Sequence, residues 1–412
     1  MSVIRPFRAF RPRPELAARI ASFPYDVVDS DEARELAKGN PYSFLHVGKP
    51  EIDLDPSISL YDKRVYAKGA ENLNKLIRDR ALIRDESPCL YLYQQTMDGH
   101  SQVGVVCACS VREYEQGLIK RHEHTRKAKE DDRTRHVTET NANAEPVFLT
   151  YRAVLDIDAV VDRVRERAPA CDIITEDGVG HTVWVMSDPT ETEELVELFM
   201  GVPALYIADG HHRTAAAVRH GQAARSLARN PTGDEPYEFF MAVVFPDRQL
   251  RIMDYNRVVM DLNGLSEDAF LERLAHSFRV EPATGPRPER KGEFGMYLDG
   301  KWRLLTAREG TWPADDPVRG LDASILQDNL LGPILGIRDP RSDNRIDFVG
   351  GIRGTDELEK RCRGDWKVAF TLFPTSLDQL MSVADSGRVM PPKSTWFEPK
   401  LRSGLIVRML DE

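Results

Sequence analysis

The sequence has few cysteines, no long apolar run and no excess of positive charge, and each of these absences argues against a class of protein. Its five cysteines are scattered along 412 residues, and this odd number argues against a disulfide framework. No uncharged apolar run approaches the roughly 20 residues that cross a bilayer, and no apolar segment follows the basic start of the chain as in a signal peptide. With 56 basic against 66 acidic side chains, the formal net charge of −10 argues against a general nucleic-acid binder. We therefore expect a cytoplasmic protein with no membrane or nucleic-acid partner.

Two of the cysteines, Cys107 and Cys109, are separated by one residue and admit two interpretations. One is a metal or redox site, although no second thiol pair lies nearby in the sequence. The other is a buried strand, because Val105 and Val106 precede them and a free thiol packs as a small apolar side chain. We favour the buried strand.

The length and the order of the predicted elements indicate an α/β, or α+β, protein with more than one domain. A chain of 412 residues exceeds one ordinary hydrophobic core. Strands and helices alternate through its middle part, which is typical of an α/β core. We expect an N-terminal α/β subdomain over residues 1–110, a core over 111–250 and a C-terminal α/β subdomain over 251–412.

Start and stop signals predict several helices. Asp29 or Ser30 can cap a helix that ends before Gly39. Residues 60–79 have the apolar spacing of an amphipathic helix. The sequence of residues 190–193 predicts a capping box that opens a further helix.

Other segments predict strands, turns and one exposed region. Residues 90–94 and 103–110 predict two strands joined by a turn at Asp98-Gly99. Residues 23–28 predict an extended segment. Residues 121–136 are highly charged, so we expect them to form an exposed helix or a mobile active-site segment.

A predicted buried strand over residues 204–207 runs into the sequence Asp209-Gly210-His211-His212-Arg213, and an alanine-rich helix follows. The first N–H groups of a helix have no partner within it and carry a partial positive charge, so they can hold a phosphate. Gly210 permits a sharp bend and a close approach to a ligand, and Arg213 can contact two phosphate oxygens. Asp209 can cap the helix or face a magnesium ion that a nucleotide carries.

The two histidines of this turn have alternative interpretations. An ordinary capped helix with two incidental histidines is one of them. Metal binding by His211 and His212 together is disfavoured, because adjacent helix positions point about 100° apart. We favour hydrogen bonds from these histidines to phosphate, because five consecutive polar or turn residues follow a buried strand.

Two further segments carry groups suited to chemistry on a phosphate. Glu123, preceded by His122, can act as a general base, although the residues alone favour solvated surface charge. Lys393, Ser394 and Thr395 follow two prolines and offer a cation and two hydroxyls to a phosphate or carboxylate. The alternative for them is a structural turn, and the missing glycines exclude a Walker A loop.

Taken in chain order, these three segments resemble the free serine kinases of the ParB/sulfiredoxin-like superfamily. Those kinases share the Asp-Gly-His-His-Arg nucleotide-binding signature, with a His-Glu pair upstream and a Pro-Lys-Thr-Thr segment near the C-terminus. The resemblance implies a ParB/sulfiredoxin-like nucleotide-binding core over 111–250, with N-terminal and C-terminal α/β subdomains added to it. It also implies that Glu123 is the catalytic base, with His122 beside it, and that Lys393-Ser394-Thr395 binds the amino acid or its phosphate.

The whole chain also resembles a large, mostly uncharacterised bacterial family with the same signature. The shared segments are Pro24-Tyr25-Asp26-Val27-Val28, His122-Glu123-x-Thr125, Asp209-Gly210-His211-His212-Arg213 and Met390-Pro391-Pro392-Lys393-Ser394-Thr395.

These resemblances imply a small-molecule kinase that transfers phosphate from ATP, or ADP, with Mg²⁺ to the hydroxyl of free L-serine or a similar metabolite. Glu123 accepts the hydroxyl proton, the backbone of Gly210 and His211 holds the phosphates together with Arg213, and Asp209 orients the magnesium. One alternative is a ParB-like regulatory protein that binds or hydrolyses a nucleotide without a small-molecule acceptor. A hydrolase or phosphatase that uses the same turn is another.

Overall fold

The computed structural model describes residues 2–411 and divides the chain into two units. One unit contains Met1–Leu250 together with Pro399–Glu412, and the other is Arg251–Glu398. Both units combine helices with sheets, so the predicted mixed α/β class is confirmed. Strands from both sides of residue 110 share one sheet, so the boundary that we expected there falls inside the first unit.

Strands and helices alternate along the chain. The strands are β1 (Ile4–Arg5), β2 (Phe10–Pro12), β3 (Leu82–Arg84), β4 (Leu90–Met97), β5 (His100–Ser110), β6 (Ile119–Lys120), β7 (Ala142–Asn143), β8 (Val147–Tyr151), β9 (Cys171–Ile174), β10 (Gly180–Met186), β11 (Leu205–Asp209), β12 (Phe239–Pro246), β13 (Ile252–Met253), β14 (Tyr255–Val259), β15 (Phe278–Pro282), β16 (Glu293–Leu298), β17 (Lys301–Ala307), β18 (Ile346–Gly350), β19 (Val368–Leu372), β20 (Trp396–Phe397) and β21 (Arg408–Met409). The α-helices are α1 (Ala17–Ile20), α2 (Ser30–Ala37), α3 (Leu45–Gly48), α4 (Lys63–Arg78), α5 (Val111–Glu115), α6 (Lys127–Thr140), α7 (Leu155–Arg165), α8 (Pro189–Met200), α9 (His211–Leu227), α10 (Glu267–Ser277), α11 (Asp322–Leu326), α12 (Gly354–Cys362) and α13 (Leu377–Asp385).

A nine-stranded sheet forms the centre of the first unit, in the order β6–β11–β8–β12–β5–β4–β10–β9 with β1 against β5. β11 runs parallel to β6 and β12 runs parallel to β8, whereas the other neighbours are antiparallel. Strands β8 and β12 are buried along their whole length, because apolar side chains occupy both of their faces. Cys107 and Cys109 are buried free thiols in β5, which confirms the strand interpretation.

A six-stranded antiparallel sheet forms the centre of the second unit, in the order β15–β17–β16–β19–β14–β18. Its core contains four fully buried phenylalanines, which are Phe270, Phe278, Phe294 and Phe370. The burial of these large side chains supplies much of the apolar area that stabilises the unit. A separate two-stranded ribbon pairs β13 with β20.

Several local predictions are confirmed because short-range chemistry decides them. Helix α2 begins at Ser30, and the capping box joins Asp29 to Glu32 in both directions. β4 and β5 form a hairpin whose turn residues Asp98 and Gly99 have φ angles of 50° and 74°. A two-residue turn with positive φ at both positions matches the twist of the strands that it joins.

Two local predictions are wrong. The N-cap of α8 is Asp188, whose Oδ1 accepts a hydrogen bond from the backbone N–H of Thr190 at 2.8 Å. Pro189 occupies the first turn, where its fixed φ suits the helix and its missing N–H costs nothing, so the helix starts before Thr190. Residues 23–28 do not form an extended segment, since the chain turns after Pro24 and the N–H of Val27 bonds to the carbonyl of Pro24 at 3.2 Å.

The charged segment 121–136 is a loop to residue 126 and then the start of α6. The expectation of an exposed helix is wrong for one face of α6, on which Asp132, Arg133 and His136 are buried. These groups are buried because they have partners: Arg133 bonds to Asp132 at 2.9 Å, and His136 Nε2 lies 2.8 Å from the carbonyl of Val47.

Between residues 2 and 411, no helix is both long enough and apolar enough to cross a lipid bilayer.

Candidate functional site

The candidate site is built at the end of β11, where the chain turns into α9. The pairing of β11 with β8 shifts its register between Ile207 and Asp209, so a bulge at Ala208 precedes the turn. Gly210 is the N-cap of α9 and has a φ of 90°. This left-handed backbone conformation favours glycine, and a Cβ atom at this position would lie 3.2 Å from Nε of Arg213, so the guanidinium would have to shift slightly to admit it.

Asp209 is the counter-charge of two cations. Its Oδ2 lies 3.2 Å from Nζ of Lys400 and 3.8 Å from Nη2 of Arg213, and its Oδ1 accepts a hydrogen bond from the N–H of Gly210 at 2.8 Å. Burial alone would raise the pKa of Asp209, but Lys400 and Arg213 lower it below the usual range of an aspartate. The carboxylate is therefore ionised. It does not cap α9, because the N-cap residue is Gly210 and no side chain accepts a capping hydrogen bond there.

His122 and His211 pack against each other as neutral imidazoles. Their rings meet edge to face, with centroids 4.5 Å apart. Burial lowers the pKa of His122 to about 4, and burial together with His122 lowers the pKa of His211 well below its ordinary value. Nε2 of His211 is buried and makes no hydrogen bond with the described residues 2–411.

The loop of residues 121–126 lies over the N-terminus of α9 and carries Glu123. Oε2 of Glu123 is 3.9 Å from Nδ1 of His211, and 45% of the Glu123 side chain is exposed to solvent. His211 is neutral, so this contact is not an ion pair. His212 fixes the same loop, because its Nε2 accepts a hydrogen bond from the N–H of Arg126 at 3.0 Å. His212 thus holds the loop that carries the candidate base, and the ring of His211 lies beside it.

Arg213 is buried under the turn. Its Nη1 donates to the carbonyl of Pro146 at 2.5 Å, and its Nη2 lies 3.6 Å from Oδ2 of Asp26. Nε is buried and makes no hydrogen bond with any residue between 2 and 411. Only part of the guanidinium therefore remains for a ligand such as phosphate. The sequence motif did not reveal that Asp26 shares this charge.

Tyr25, Arg133 and Glu145 form a buried cluster next to Arg213. The guanidinium of Arg133 stacks 4.0 Å from the centroid of the Tyr25 ring, and Oε1 of Glu145 accepts a hydrogen bond from the N–H of Tyr25 at 3.0 Å. Arg133, Glu145 and Arg213 line a cavity of about 30 Å³. That volume can hold a water molecule among these polar groups. The turn after Pro24 is thereby held against Arg133 and Glu145, which lie beside Arg213.

Lys400, Asp26 and Glu145 are site residues that the sequence reasoning missed. Lys400 follows the Lys393-Ser394-Thr395 segment in the same stretch of chain, and Asp26 belongs to a segment shared with the resembling bacterial family. Both residues therefore lie in or beside segments that the sequence singles out, but no local pattern indicated what they contact. No signal in the sequence pointed to Glu145.

The third predicted segment, Lys393-Ser394-Thr395, belongs to the second unit, whereas the turn at residues 209–213 belongs to the first. Lys393 is exposed and has a φ of 59°, with its ammonium 5.4 Å from the centroid of the Tyr255 ring. The buried guanidinium of Arg257 donates to the carbonyl of Lys393 at 3.1 Å. Ser394 is buried, and its hydroxyl donates to the carbonyl of Pro391 at 2.8 Å. The segment is therefore a turn that presents the Lys393 ammonium at its surface.

Residues 2–411 contain no group of three or more His, Cys, Asp or Glu side chains that could hold a metal ion. The predicted magnesium contact, Asp209, already has an N–H donor at each carboxylate oxygen. These donors fit a directly bound cation poorly, and the magnesium role of Asp209 stays a prediction.

The buried neutral histidines make the stability of the protein depend on pH. His122 and His136 are buried, and burial lowers the pKa of each to about 4, whereas an unfolded histidine titrates near 6.5. The unfolded chain therefore binds more protons between these two values. We expect the free energy of unfolding to fall by about 2 kcal/mol for each of them between pH 7 and pH 5.

Urea denaturation at the two pH values measures this slope. His136→Gln removes one titrating group and makes the slope smaller, whereas His124→Gln, at an exposed position in the same unit, leaves it unchanged. Equal slopes in all three proteins would show that His136 is not held neutral by burial.

The chain is similar to several solved structures, at low sequence identity. No curated protein matches the chain. Among solved structures, a free serine kinase in complex with AMP is similar with a TM-score of 0.34 and 14% identity, over 71% of this chain and 86% of that one. A conserved hypothetical protein from Pyrococcus furiosus is similar with a TM-score of 0.35 and 14% identity, over 75% and 96% of the two chains. SbnI with C-terminal truncation, from Staphylococcus aureus, is similar with a TM-score of 0.38 and 13% identity, over 74% and 89%.

Structural similarity at these scores carries no argument about activity. A family model matches most of the chain. It is the model of the family described as protein of unknown function (DUF1015), and it matches residues 4–324. The matched region includes the turn at residues 209–213 and the Glu123 loop. The chain belongs to the DUF1015 family.

Proposed function

We propose that this protein transfers a phosphoryl group from a nucleotide, ATP or ADP, to the hydroxyl of a small metabolite, with free L-serine as the first candidate acceptor. The observation that carries the proposal is the position of Glu123. Its half-exposed carboxylate lies beside the N-terminus of α9, where the cations Lys400 and Arg213 are gathered around Asp209.

Phosphoryl transfer needs positioning and charge neutralisation more than covalent help from the protein. The N-terminus of α9 and the ammonium of Lys400 supply positive potential for phosphate oxygens. Nε2 of His211, which has no hydrogen-bond partner among residues 2–411, is a further polar atom that a ligand can engage. These groups favour an anion at the turn and give it an orientation.

Glu123 is suited to the proton transfer. Its carboxylate is half-exposed, within reach of a ligand at the turn, and its neighbour His211 is neutral. In the proposed step the acceptor hydroxyl gives its proton to the Glu123 carboxylate, and its oxygen forms a bond to the terminal phosphorus. The bond from that phosphorus to the bridging oxygen breaks, and the electron pair leaves with the shortened nucleotide.

Two assignments rest on the resemblance alone. Mg²⁺ bound to the nucleotide supplies further charge neutralisation, and we derive no step from Asp209 as its ligand. Lys393, Ser394 and Thr395 are assigned to the acceptor by the resemblance, and this assignment stays a prediction.

A direct assay tests the proposal. Purified full-length protein is incubated with Mg²⁺, L-serine and ATP, ADP or pyrophosphate in turn, and O-phosphoserine is measured by mass spectrometry. We expect O-phosphoserine with one of the nucleotides and no phosphorylated product with L-alanine, which lacks the hydroxyl. Absence of O-phosphoserine with every donor would rule out serine as the acceptor. Phosphate release that needs no acceptor would instead support a hydrolase.

A further inference from the structure

A second pocket lies in the first unit and shares no lining residue with the candidate phosphate site. Its volume is about 550 Å³, within the range of small-molecule pockets. Its wall includes residues from the first 45 positions, from the turn after β9 and from the C-terminal segment. The residues that matter for the argument are Arg19, Phe23, Leu36, Ile174, Asp177 and Arg402.

Arg402 is a buried cation of this pocket with one donor unused. The residue is 4% exposed, and its Nη2 contacts the carboxylate of Asp177 and, at 3.4 Å, the hydroxyl of Thr175. Its Nε lies 3.4 Å from Nε2 of His181. Nη1 is buried and makes no hydrogen bond with the described residues 2–411. A buried guanidinium donor without an acceptor is costly, and a ligand oxygen would satisfy it.

Arg19 adds a second cation to the wall. It forms no ion pair within residues 2–411, and its guanidinium stacks 4.6 Å from the centroid of the Tyr42 ring. Two exposed acids, Glu176 and Asp177, belong to the wall, and the charge of Asp177 is engaged by Arg402 and by the hydroxyl of Thr175 at 2.6 Å. A carboxylate ligand therefore gains Arg19 as a counter-charge and Nη1 of Arg402 as a donor.

The rest of the wall is apolar. Ile174 and Leu36 are large side chains that remain 75% and 45% exposed, although most large apolar side chains of this protein are buried. The ring of Phe23 lies 3.7 Å from the guanidinium carbon of Arg402, so an apolar face adjoins the unused donor. A ligand with an apolar body would cover Ile174 and Leu36 and remove their area from water.

We propose that this pocket is a second binding site, which takes a small carboxylate with an apolar body. The proposal does not depend on the phosphoryl-transfer function, because none of the residues that carry it belongs to the turn at residues 209–213. It assigns Arg402 and Arg19 to the carboxylate, and Phe23, Leu36 and Ile174 to the apolar part.

Binding of three probes to the full-length protein tests the proposal: hexanoate, 4-methylpentanoate and phenylacetate, followed by isothermal titration calorimetry. We expect saturable binding of at least one probe with a stoichiometry of one, and binding of the matching neutral amide at least tenfold weaker. No saturable binding of any probe, or equal binding of acid and amide, would overturn the proposal.

Two substitutions at one exposed position locate the site. Ile174→Glu places a negative charge at the pocket, so we expect the affinity for the carboxylate to fall about tenfold. Ile174→Lys removes the same apolar side chain but adds a positive charge, so we expect it to bind the carboxylate more tightly than Ile174→Glu. Both variants should fold, because Ile174 is 75% exposed. Equal affinities of the two variants would place the bound probe elsewhere and contradict the assignment.

Discussion

Glu123→Gln should lower kcat for the proposed phosphoryl transfer by about 10²–10⁴-fold, the range that a positioned general base contributes. The amide keeps the size of the side chain and removes the basic oxygen that accepts the acceptor's proton. The contact between Glu123 and the turn is a 3.9 Å approach to neutral His211, so removing the negative charge should leave the turn intact and change the nucleotide affinity little. Rapid-quench measurement of one turnover separates the chemical step from binding and product release.

Glu139→Gln is the matched control for this substitution. Glu139 lies on the exposed side of α6, the helix that follows the Glu123 loop, so the same change of charge there should leave kcat unaltered. Full activity in the Glu123→Gln variant would remove the base assignment while leaving a phosphate site at the turn intact. A loss of nucleotide affinity in that variant would show that Glu123 acts in binding.

Lys400→Met should weaken nucleotide binding by about tenfold or more and destabilise the first unit. The ammonium is mostly buried beside Asp209, and a charge-assisted contact to a ligand phosphate contributes roughly 1.5–3 kcal/mol. Among residues 2–411, its loss also leaves the carboxylate of Asp209 with Arg213 as its one charged partner, at 3.8 Å. We expect the free energy of unfolding to fall by about 1–3 kcal/mol, because a partly buried charge loses its nearest counter-charge.

A double variant separates these two effects. Asp209→Asn in the Lys400→Met background removes the uncompensated charge, so stability should recover while nucleotide binding stays weak. Equilibrium denaturation measures stability, and calorimetric titration with ADP measures binding. Lys400→Arg keeps the charge and should retain most of the affinity. Wild-type affinity in Lys400→Met would contradict a role for Lys400 in holding the phosphate.

Elements fixed by short-range chemistry could be read from the sequence. The capping box at Asp29 and the hairpin turn at Asp98-Gly99 depend on side chains and φ preferences within four residues, and both are present. The start of α8 was misplaced by two residues, because Asp188 caps it through the proline that follows. Such boundaries depend on which of several competent caps the backbone uses.

The buried charges could not be read from the sequence. A charged run such as residues 121–136 is ordinarily solvated, and here one face of α6 is buried because Arg133 meets Asp132 and the Tyr25 ring. The partner Tyr25 lies more than one hundred positions earlier in the chain. Whether a charge is buried depends on the partners that the fold brings to it, and no local pattern encodes them.

The sequence by itself determined the strand, turn and helix at Asp209 to Arg213, because a buried strand, a glycine and a run of helix formers specify that geometry locally. It also placed Glu123 among the candidates by its order in the chain. Only the tertiary structure decided that Lys400 pairs with Asp209 and that Asp26 faces Arg213. It also decided that His212 holds the Glu123 loop. The physical reason is range: these contacts join residues that only the packed sheet and helices bring within a few ångströms.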